Sequence, residues 1–459
     1  MRLKNFVRIW SVLLALPLLS PGVRGDEANL KSESVVWNKV QDSVDADVRE
    51  LGLKPLLERV ALETGWQVFV EPDTSFKASA KFKGLASGEA LRRLLGDLNF
   101  ALVPQTNAAP RLYVFRTVMH NATQKVELTP RVPKHVPNEL LLRVKPGTDI
   151  EALAKSLGAK ITGRLPGSNL YRFEFPDSAA TDSALAQLQQ NSDVAEVEYN
   201  YYFDQPQPTQ ALLASSAPPL SLQLKPASDS GRVIIGLVDT GVQPLGANLD
   251  SFMLQKISVA GEATMDSSSP THGTSMAETV LRSLQAATQG STSAQILSVD
   301  VYGPSASTTT WNVANGIVQA VNGGANIINL SLGGTSDSGV LRDLVQSVSD
   351  RGIPIFAAAG NEPVATPFYP AAYAGVTAVT AADQGRIANY ANFGSFVDVA
   401  APGSSVVYFG NQPWLVRGTS ASAAYVSGLA AGLADTTHQS WSQIQSTILK
   451  TLPVPGGGK

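Results

Sequence analysis

The chain has 459 residues, 44% hydrophobic and 16% charged, with a formal net charge of -3. A chain of this length exceeds one compact core and predicts two or three domains. The slightly acidic balance excludes a nucleic-acid binder that relies on a basic surface, and the absence of cysteine excludes disulfides, thiolate metal sites and cysteine nucleophiles.

At the N-terminus, Arg2, Lys4 and Arg8 precede the apolar run "IWSVLLALPLL", followed by "SPGVRGDE". A basic start, a short apolar stretch and small residues predict a secretory signal over residues 1–25, cut after Gly25. The run is too short to span a bilayer, and no later stretch is long and apolar enough. An exported protein without a transmembrane anchor is expected, periplasmic or extracellular.

The first folded unit is expected over residues 35–117. In "GLKPLLERVALETG", Leu53, Leu56, Leu57, Val60 and Ala61 follow the spacing of an amphipathic helix, with Gly65 suited to its end. "WQVFVEP", "SAKFKG" and "RLYVFR" read as strands. "SGEALRRLLGDLN" reads as a second helix, with Ser87 as N-cap and a stripe of Leu91, Leu94, Leu95 and Leu98. This order resembles the short N-terminal domain of secretins and TonB-dependent receptors, most of all in "ETGWQVFVEP" and "SGEALRRLLGDLNF". The resemblance implies a protein-interaction module with an envelope protein as partner. A small α+β domain is the reading without it.

The second unit is expected over residues 136–203. "NELLLRVKPG" is a strand ending at a Pro-Gly turn, and "DIEALAKSLGA" a helix with Ile150, Leu153, Ala154 and Leu157 on one face. In "LYRFEF", Tyr171, Phe173 and Phe175 alternate with Arg172 and Glu174, the pattern of a half-buried strand. With helix "SALAQLQQN" and strand "VAEVEYNYY" the order is β-α-β-β-α-β, ferredoxin-like. The unit resembles the pro-segment of subtilisin-like proteases, chiefly in "ELLLRVKPG" and "VAEVEYN", which implies an intramolecular inhibitor. Residues 204–225, rich in Pro, Ser, Gln and Ala, predict an exposed linker open to proteolysis.

The third unit, residues 226–452, alternates apolar strands with amphipathic helices, which predicts an α/β fold with a mostly parallel, doubly wound sheet. Sites in such folds lie beyond the carboxyl ends of the strands. Asp239 in "VDTG" and Asn361 in "AAAGNE" stand at such ends, and His272 in "THGTSMAETV" and Ser420 in "RGTSASAAYVSGLAAG" at helix starts. A serine hydroxyl becomes a nucleophile when an imidazole takes its proton, and the imidazole needs a carboxylate on its other nitrogen. The developing oxyanion needs preset donors, here the Asn361 amide and the Ser420 N–H. Each residue alone has a structural reading: a turn acid, a core histidine, a helix cap at Thr419 and Ser420, a turn asparagine. Together they predict a catalytic site.

"VDTG", "HGTSMA", "NLSLGG", "AAAGNE", "FVDVAAPG" and "GTSASAAYVSG" resemble, in order, the motifs of the subtilisin-like serine proteases. The resemblance implies a serine endopeptidase made as a zymogen, with polypeptide substrates. Asp239, His272 and Ser420 would be the triad, Asn361 the oxyanion donor, and Ser331, Leu332 and Gly333 the cleft segment that pairs with an extended peptide. It implies no catalytic cofactor. No acidic cluster with calcium-ligand spacing is visible, although a structural calcium site of backbone carbonyls leaves no mark in a sequence. Three positions depart from the family: Glu278 stands where glycine is usual, Ala424 replaces a proline, and Ala421 a methionine. Glu278 and Ala424 support the alternative, a catalytically impaired peptide-binding or envelope-docking protein on the same scaffold.

Overall fold

The computed structural model describes residues 34–38, 42–105, 108–126, 134–206, 210–211, 220–227, 231–246, 248–263, 266–410 and 412–455. The expected secretory signal lies outside the described residues, as do residues 207–209 and 212–219 of the linker.

The N-terminal unit contains β1 (Ser34–Asn38), β2 (Ser43–Gly52), α1 (Leu53–Thr64), β3 (Gln67–Val70), β4 (Lys77–Leu85), α2 (Ser87–Leu95), β5 (Asn99–Gln105), β6 (Ala108–Phe115) and β7 (Gln124–Lys125). The strands form two sheets, β1-β2-β4 and β5-β6-β3-β7, around their own apolar cluster. The stripe of Leu53, Leu56, Leu57, Val60 and Ala61 is buried in it. Gly65 ends α1 in the left-handed conformation at φ 71, donating to the Ala61 carbonyl. Ser87 is not the N-cap of α2; that position is Ala86. The Ser87 hydroxyl is drawn across to the first sheet instead, accepting from Trp37 Nε1 at 2.8 Å and donating to Asp42.

The middle unit follows as β8 (His135–Val144), α3 (Ile150–Ser156), β9 (Lys160–Leu165), β10 (Leu170–Glu174), α4 (Ser178–Leu188) and β11 (Val194–Asp204). Asp149 and Asp177 cap the two helices through the N–H groups of Ala152 and Ala180. The antiparallel sheet has the order β11-β8-β10-β9. Leu140, Leu142, Phe173 and Phe175 face its helices. Leu141, Leu165 and Leu170 face the other way and join a core cluster of the C-terminal unit. The alternation that made one face apolar thus hides a second apolar face, and burying each such side chain contributes about 1.5–3 kcal/mol.

The C-terminal unit comprises β12 (Gln210–Ala211), β13 (Gln223–Leu224), β14 (Ile234–Asp239), β15 (Ile257–Ser258), α5 (His272–Thr288), β16 (Ser291–Thr292), β17 (Gln295–Asp300), β18 (Ser307–Thr309), α6 (Thr310–Asn322), β19 (Ile327–Leu330), α7 (Gly339–Asp350), β20 (Ile355–Ala358), β21 (Val376–Asp383), β22 (Arg386–Ile387), β23 (Val399–Pro402), β24 (Ser404–Phe409), β25 (Gln412–Arg417), α8 (Thr419–Thr437) and α9 (Trp441–Thr451). Its main sheet runs β15-β17-β14-β19-β20-β21, parallel throughout, with β23 parallel to β21 and only β22 antiparallel. Ile235 and Leu237 of β14 point into one cluster with α5, α8 and α9, and Val238 into the other with α6 and α7. A sheet buried on both faces explains strands that read as continuous apolar runs.

Helices α5 and α8 touch through glycine. A methyl on Gly428 would stand 2.5 Å from the Val280 carbonyl oxygen, and one on Gly432 2.5 Å from Ala287 Cβ. Val280 and Gly428 lie the same eight residues beyond His272 and Ser420. The contacts advance in the same direction along both helices, from Val280 and Gly428 to Ala287 and Gly432, so the helices run broadly parallel. No helix among the described residues is long and apolar enough to cross a membrane.

Candidate active site

Asp239 closes β14 and is 1% exposed. His272 is the first residue of α5, after the N-cap Thr271, whose hydroxyl accepts from the Thr274 N–H. His272 Nδ1 lies 2.7 Å from Asp239 Oδ1 and 3.0 Å from Oδ2. A carboxylate only accepts, so Nδ1 carries the hydrogen and Nε2 is left as the basic nitrogen. Asp239 Oδ1 also accepts from the Thr240 N–H at 2.7 Å, which fixes the carboxylate. The Gly273 N–H donates to Thr240 Oγ1 at 2.7 Å, and a methyl on Gly273 would stand 2.1 Å from the Thr240 carbonyl oxygen. Only glycine lets the end of β14 approach the first turn of α5 so closely.

Ser420 is the second residue of α8, and its hydroxyl donates to the Ser331 carbonyl at 3.2 Å rather than to the imidazole. The Ser331 hydroxyl returns a bond to the Ser420 carbonyl at 3.1 Å. The loop carrying Ser331 is thereby tied to the start of α8. The cap reading of Thr419 does not hold, because Gly418 occupies the N-cap at φ 148. The Thr419 N–H and hydroxyl donate instead to Asn361 Oδ1 at 2.8 and 3.1 Å, and the same hydroxyl accepts from the Gly360 N–H at 3.1 Å. With Oδ1 held by two donors, the direction of the Asn361 amide NH₂ is set. A methyl on Gly418 would meet that Nδ2 at 3.0 Å. Thr419 is the residue that sequence reasoning passed over. Its signal was its place beside Ser420, where a threonine cap is the simpler reading.

The tail of β11 does not pair with residues 331–333, the segment that the resemblance marks as the peptide-pairing edge of the cleft. Tyr202–Asp204 pair antiparallel with Ser307–Thr309 of β18, and the Gln205 N–H donates to the Ala306 carbonyl at 2.9 Å. The alternation along β11 turns Phe203 inward, to 1% exposure, in a cluster with Tyr302 and Leu332. Gly334 makes room for it, since a methyl there would stand 3.2 Å from the Phe203 ring. The Phe203 side chain therefore docks beside the 331–333 segment while its backbone bonds to β18.

Glu278 is turned inward, with its side chain 3% exposed, and burial raises its pKa against the opposing pull of Arg282. Its partners are the Arg282 guanidinium at 2.7 Å and the Tyr408 N–H at 2.8 Å. The carboxylate thus serves the contact between α5 and β24. Ala424 lies fully buried within an unbroken α8. Among the described residues no group of three or more His, Cys, Asp or Glu side chains converges as metal ligands.

Residues 230–457 match the Subtilase family (peptidase S8), and residues 121–200 match the Fervidolysin N-terminal prodomain. Thermitase of Thermoactinomyces vulgaris is 35% identical over 227 residues, 47% of this chain and 80% of that protein. The thermophilic serine proteinase of Bacillus sp. (strain AK1) is 35% identical over 206 residues, 44% of this chain and 51% of the relative. The chain belongs to the subtilase family. It spans about half the length of most of the curated relatives it matches, for example 58% of subtilisin Savinase from Lederbergia lenta. The crystal structure of fervidolysin from Fervidobacterium pennivorans, a keratinolytic enzyme related to subtilisin, shares the fold. Its TM-score is 0.53 at 18% identity, over 68% of this chain and 56% of that one.

Proposed function

We propose that the protein is an exported serine endopeptidase made as a self-processing zymogen. The observation that carries this reading is the buried Asp239–His272 pair, at 2.7 Å, with His272 on the helix that packs against the helix bearing Ser420. Ser420 Oγ attacks the peptide carbonyl, His272 Nε2 takes its proton, and Asp239 holds the imidazole and steadies its charge. The leaving amine receives the proton from His272, and water then releases the acyl group by the same steps reversed. All of this acid–base and covalent chemistry is carried by side chains and backbone. Labelling by a fluorophosphonate probe tests the reading: Ser420 is expected to be modified, and an unlabelled, folded protein would favour the peptide-binding alternative.

Asn361 is assigned the oxyanion donor through Nδ2, with the Ser420 N–H as its companion. Asn361→Ala is expected to lower kcat by about 10²–10³ with KM nearly unchanged, the scale known for the equivalent donor of subtilisin, a member of this family. Steady-state kinetics on a variant shown to be folded by circular dichroism checks it. An unchanged kcat would reduce Asn361 to a turn residue.

Residues 136–203 are assigned the role of inhibitor, docked on the enzyme unit. Support comes from Glu198 of β11, whose carboxylate accepts from the Ser338 hydroxyl and, at 2.8 Å, from the Gly339 N–H at the start of α7. Arg143 of β8 pairs with Glu196 at 2.7 Å and with Asp343 of α7. Burial pushes Glu198 up to about 7, and Glu196 shifts the same way for the same reason. A carboxyl whose pKa is higher when docked holds its proton more tightly when docked. Docking is then strongest below the ordinary carboxylate range and weakens as pH rises through it towards 7. The pro-segment is expected to leave the cut complex faster at pH 8 than at pH 5, with Glu198→Gln flattening the dependence. Dissociation rates followed by size-exclusion chromatography decide it, and a rate that falls with pH would contradict the assignment.

The signal at residues 1–25 is taken to direct export. Residues 35–117, part of a unit with a core of its own, are assigned to docking an envelope protein. A pull-down with the whole chain, with and without this unit, tests the second assignment.

A further inference from the structure

Helix α5 carries His272, and the hairpin of β24 and β25 leads the chain into Ser420. The two strands pair from Ser404 with Arg417 to Phe409 with Gln412, and the Gly418 N–H donates to the Gly403 carbonyl at 2.9 Å. Where the hairpin sits therefore sets where the chain enters α8. Val407, Trp414 and Val416 of the hairpin share an apolar cluster with Met276, Ala277 and Val280 of α5. Such packing holds the hairpin close, but it is non-directional and does not stop the two surfaces from sliding. Hydrogen bonds do, because they demand both a distance and an angle.

Helix α5 offers two of them to this part of the fold. The Ser283 hydroxyl donates to the Tyr425 carbonyl of α8 at 2.7 Å. The other lies nearer the catalytic end, six residues after His272. There the Glu278 carboxylate accepts from the Tyr408 N–H at 2.8 Å, on β24, the outer strand of the sheet β12-β25-β24. Arg282, one turn on, grips the same carboxylate through Nε and Nη2 at 3.1 and 2.7 Å. Its guanidinium lies 5.5 Å from the centre of the Tyr408 ring. The Glu278 side chain is buried, and a bond to an ionised acceptor is stronger than one between neutral groups. One bond is a pivot, whereas two at different heights along α5 fix an orientation. We propose that Glu278 is a positioning residue, which sets the register of the hairpin on α5 and so places Ser420 against His272. The proposal rests on the assignment of those two residues made above.

The test uses the full chain after self-processing, with active sites counted by the fluorophosphonate probe, so that kcat refers to mature enzyme alone. Glu278→Ala is expected to lower kcat by about 10–10², the scale of a misplacement of about an ångström between reacting groups. KM should stay nearly unchanged, because residues 331–333 follow β19 of the main sheet rather than the hairpin. Glu278→Gln, whose amide oxygen can still accept from Tyr408, is expected to recover most of the loss. The double variant Glu278→Leu with Arg282→Leu separates positioning from mere stabilisation. Replacing a buried ion pair by apolar side chains is often neutral for stability, so this variant should regain the thermal midpoint that Glu278→Ala loses. Its kcat should stay low, since no acceptor faces the Tyr408 N–H. A kcat that recovers with the midpoint, a Glu278→Gln as slow as Glu278→Ala, or a folded Glu278→Ala at wild-type kcat overturns the proposal. With wild-type Ser420 labelled, any of these sinks Glu278 alone. Unlabelled wild-type Ser420 removes the protease reading and this proposal with it.

Discussion

Ser420→Ala and His272→Ala are each expected to lower kcat by about 10⁶-fold, and Asp239→Ala by about 10⁴-fold, the magnitudes established for subtilisin of the same family. The inequality follows from the geometry. Without Ser420 there is no attacking oxygen, and without His272 no group takes its proton. Without Asp239 the imidazole keeps its place on α5 but loses the acceptor at 2.7 Å that fixes its tautomer. Members of a triad act as one unit, so the double variant Ser420→Ala with His272→Ala is expected to be no worse than either single one. In this structure the Ser420 hydroxyl donates to the Ser331 carbonyl. The productive state requires a turn of that hydroxyl towards Nε2, and catalytic hydrogen bonds often tighten only when substrate binds. Single-turnover kinetics on the processed enzyme measures the losses. Additive losses in the double variant, or a His272→Ala enzyme that keeps most of its rate, would defeat the triad.

The wild-type chain is expected to yield a fragment that begins between Pro206 and Gln210, whereas Ser420→Ala remains whole across this region. Sequence predicted only an exposed linker over residues 204–225 that is open to proteolysis. The structure narrows it from both sides. Upstream, Tyr202–Asp204 pair with β18 and Gln205 bonds to Ala306. Downstream, Gln210 and Ala211 pair with Leu415 and Trp414 of β25. β25 ends at Arg417, and Gly418, Thr419 and Ser420 follow it directly. The chain passes from one strand of the enzyme unit to another, and the second leads straight to Ser420. Tethering raises the local concentration of this stretch to roughly millimolar or above, so self-cleavage should outrun attack on other proteins. N-terminal sequencing of both purified chains decides it. Cutting of Ser420→Ala at the same bond and rate would assign the work to another protease. An N-terminus outside 206–210 in the wild type would mean that the two strand pairings do not bracket the bond.

Local chemistry in the sequence was enough for the order of elements and for the candidate groups. Apolar periodicity marked α1, α2 and the strands of the parallel sheet, because one residue's side chain and backbone largely decide a local conformation. The "VDTG", "HGTSMA" and "GTSASAAYVSG" stretches pointed to Asp239, His272 and Ser420 because few residue types can do that chemistry. Which atoms meet was a matter of packing between distant segments. Gly428 and Gly432 read as ordinary helix residues until Val280 and Ala287 lie against them. Thr419 reads as a cap until Asn361 arrives within 2.8 Å of its N–H. Glu278 reads as a disturbance of the histidine helix until Arg282 and Tyr408 satisfy it. The tail of β11 pairs with β18, a partner that no residue pattern in the tail names and that only the fold shows. Such contacts depend on the close approach of elements far apart in sequence, where a gap or a clash of an ångström decides the partner. A pattern of residue types along one chain carries no record of that distance.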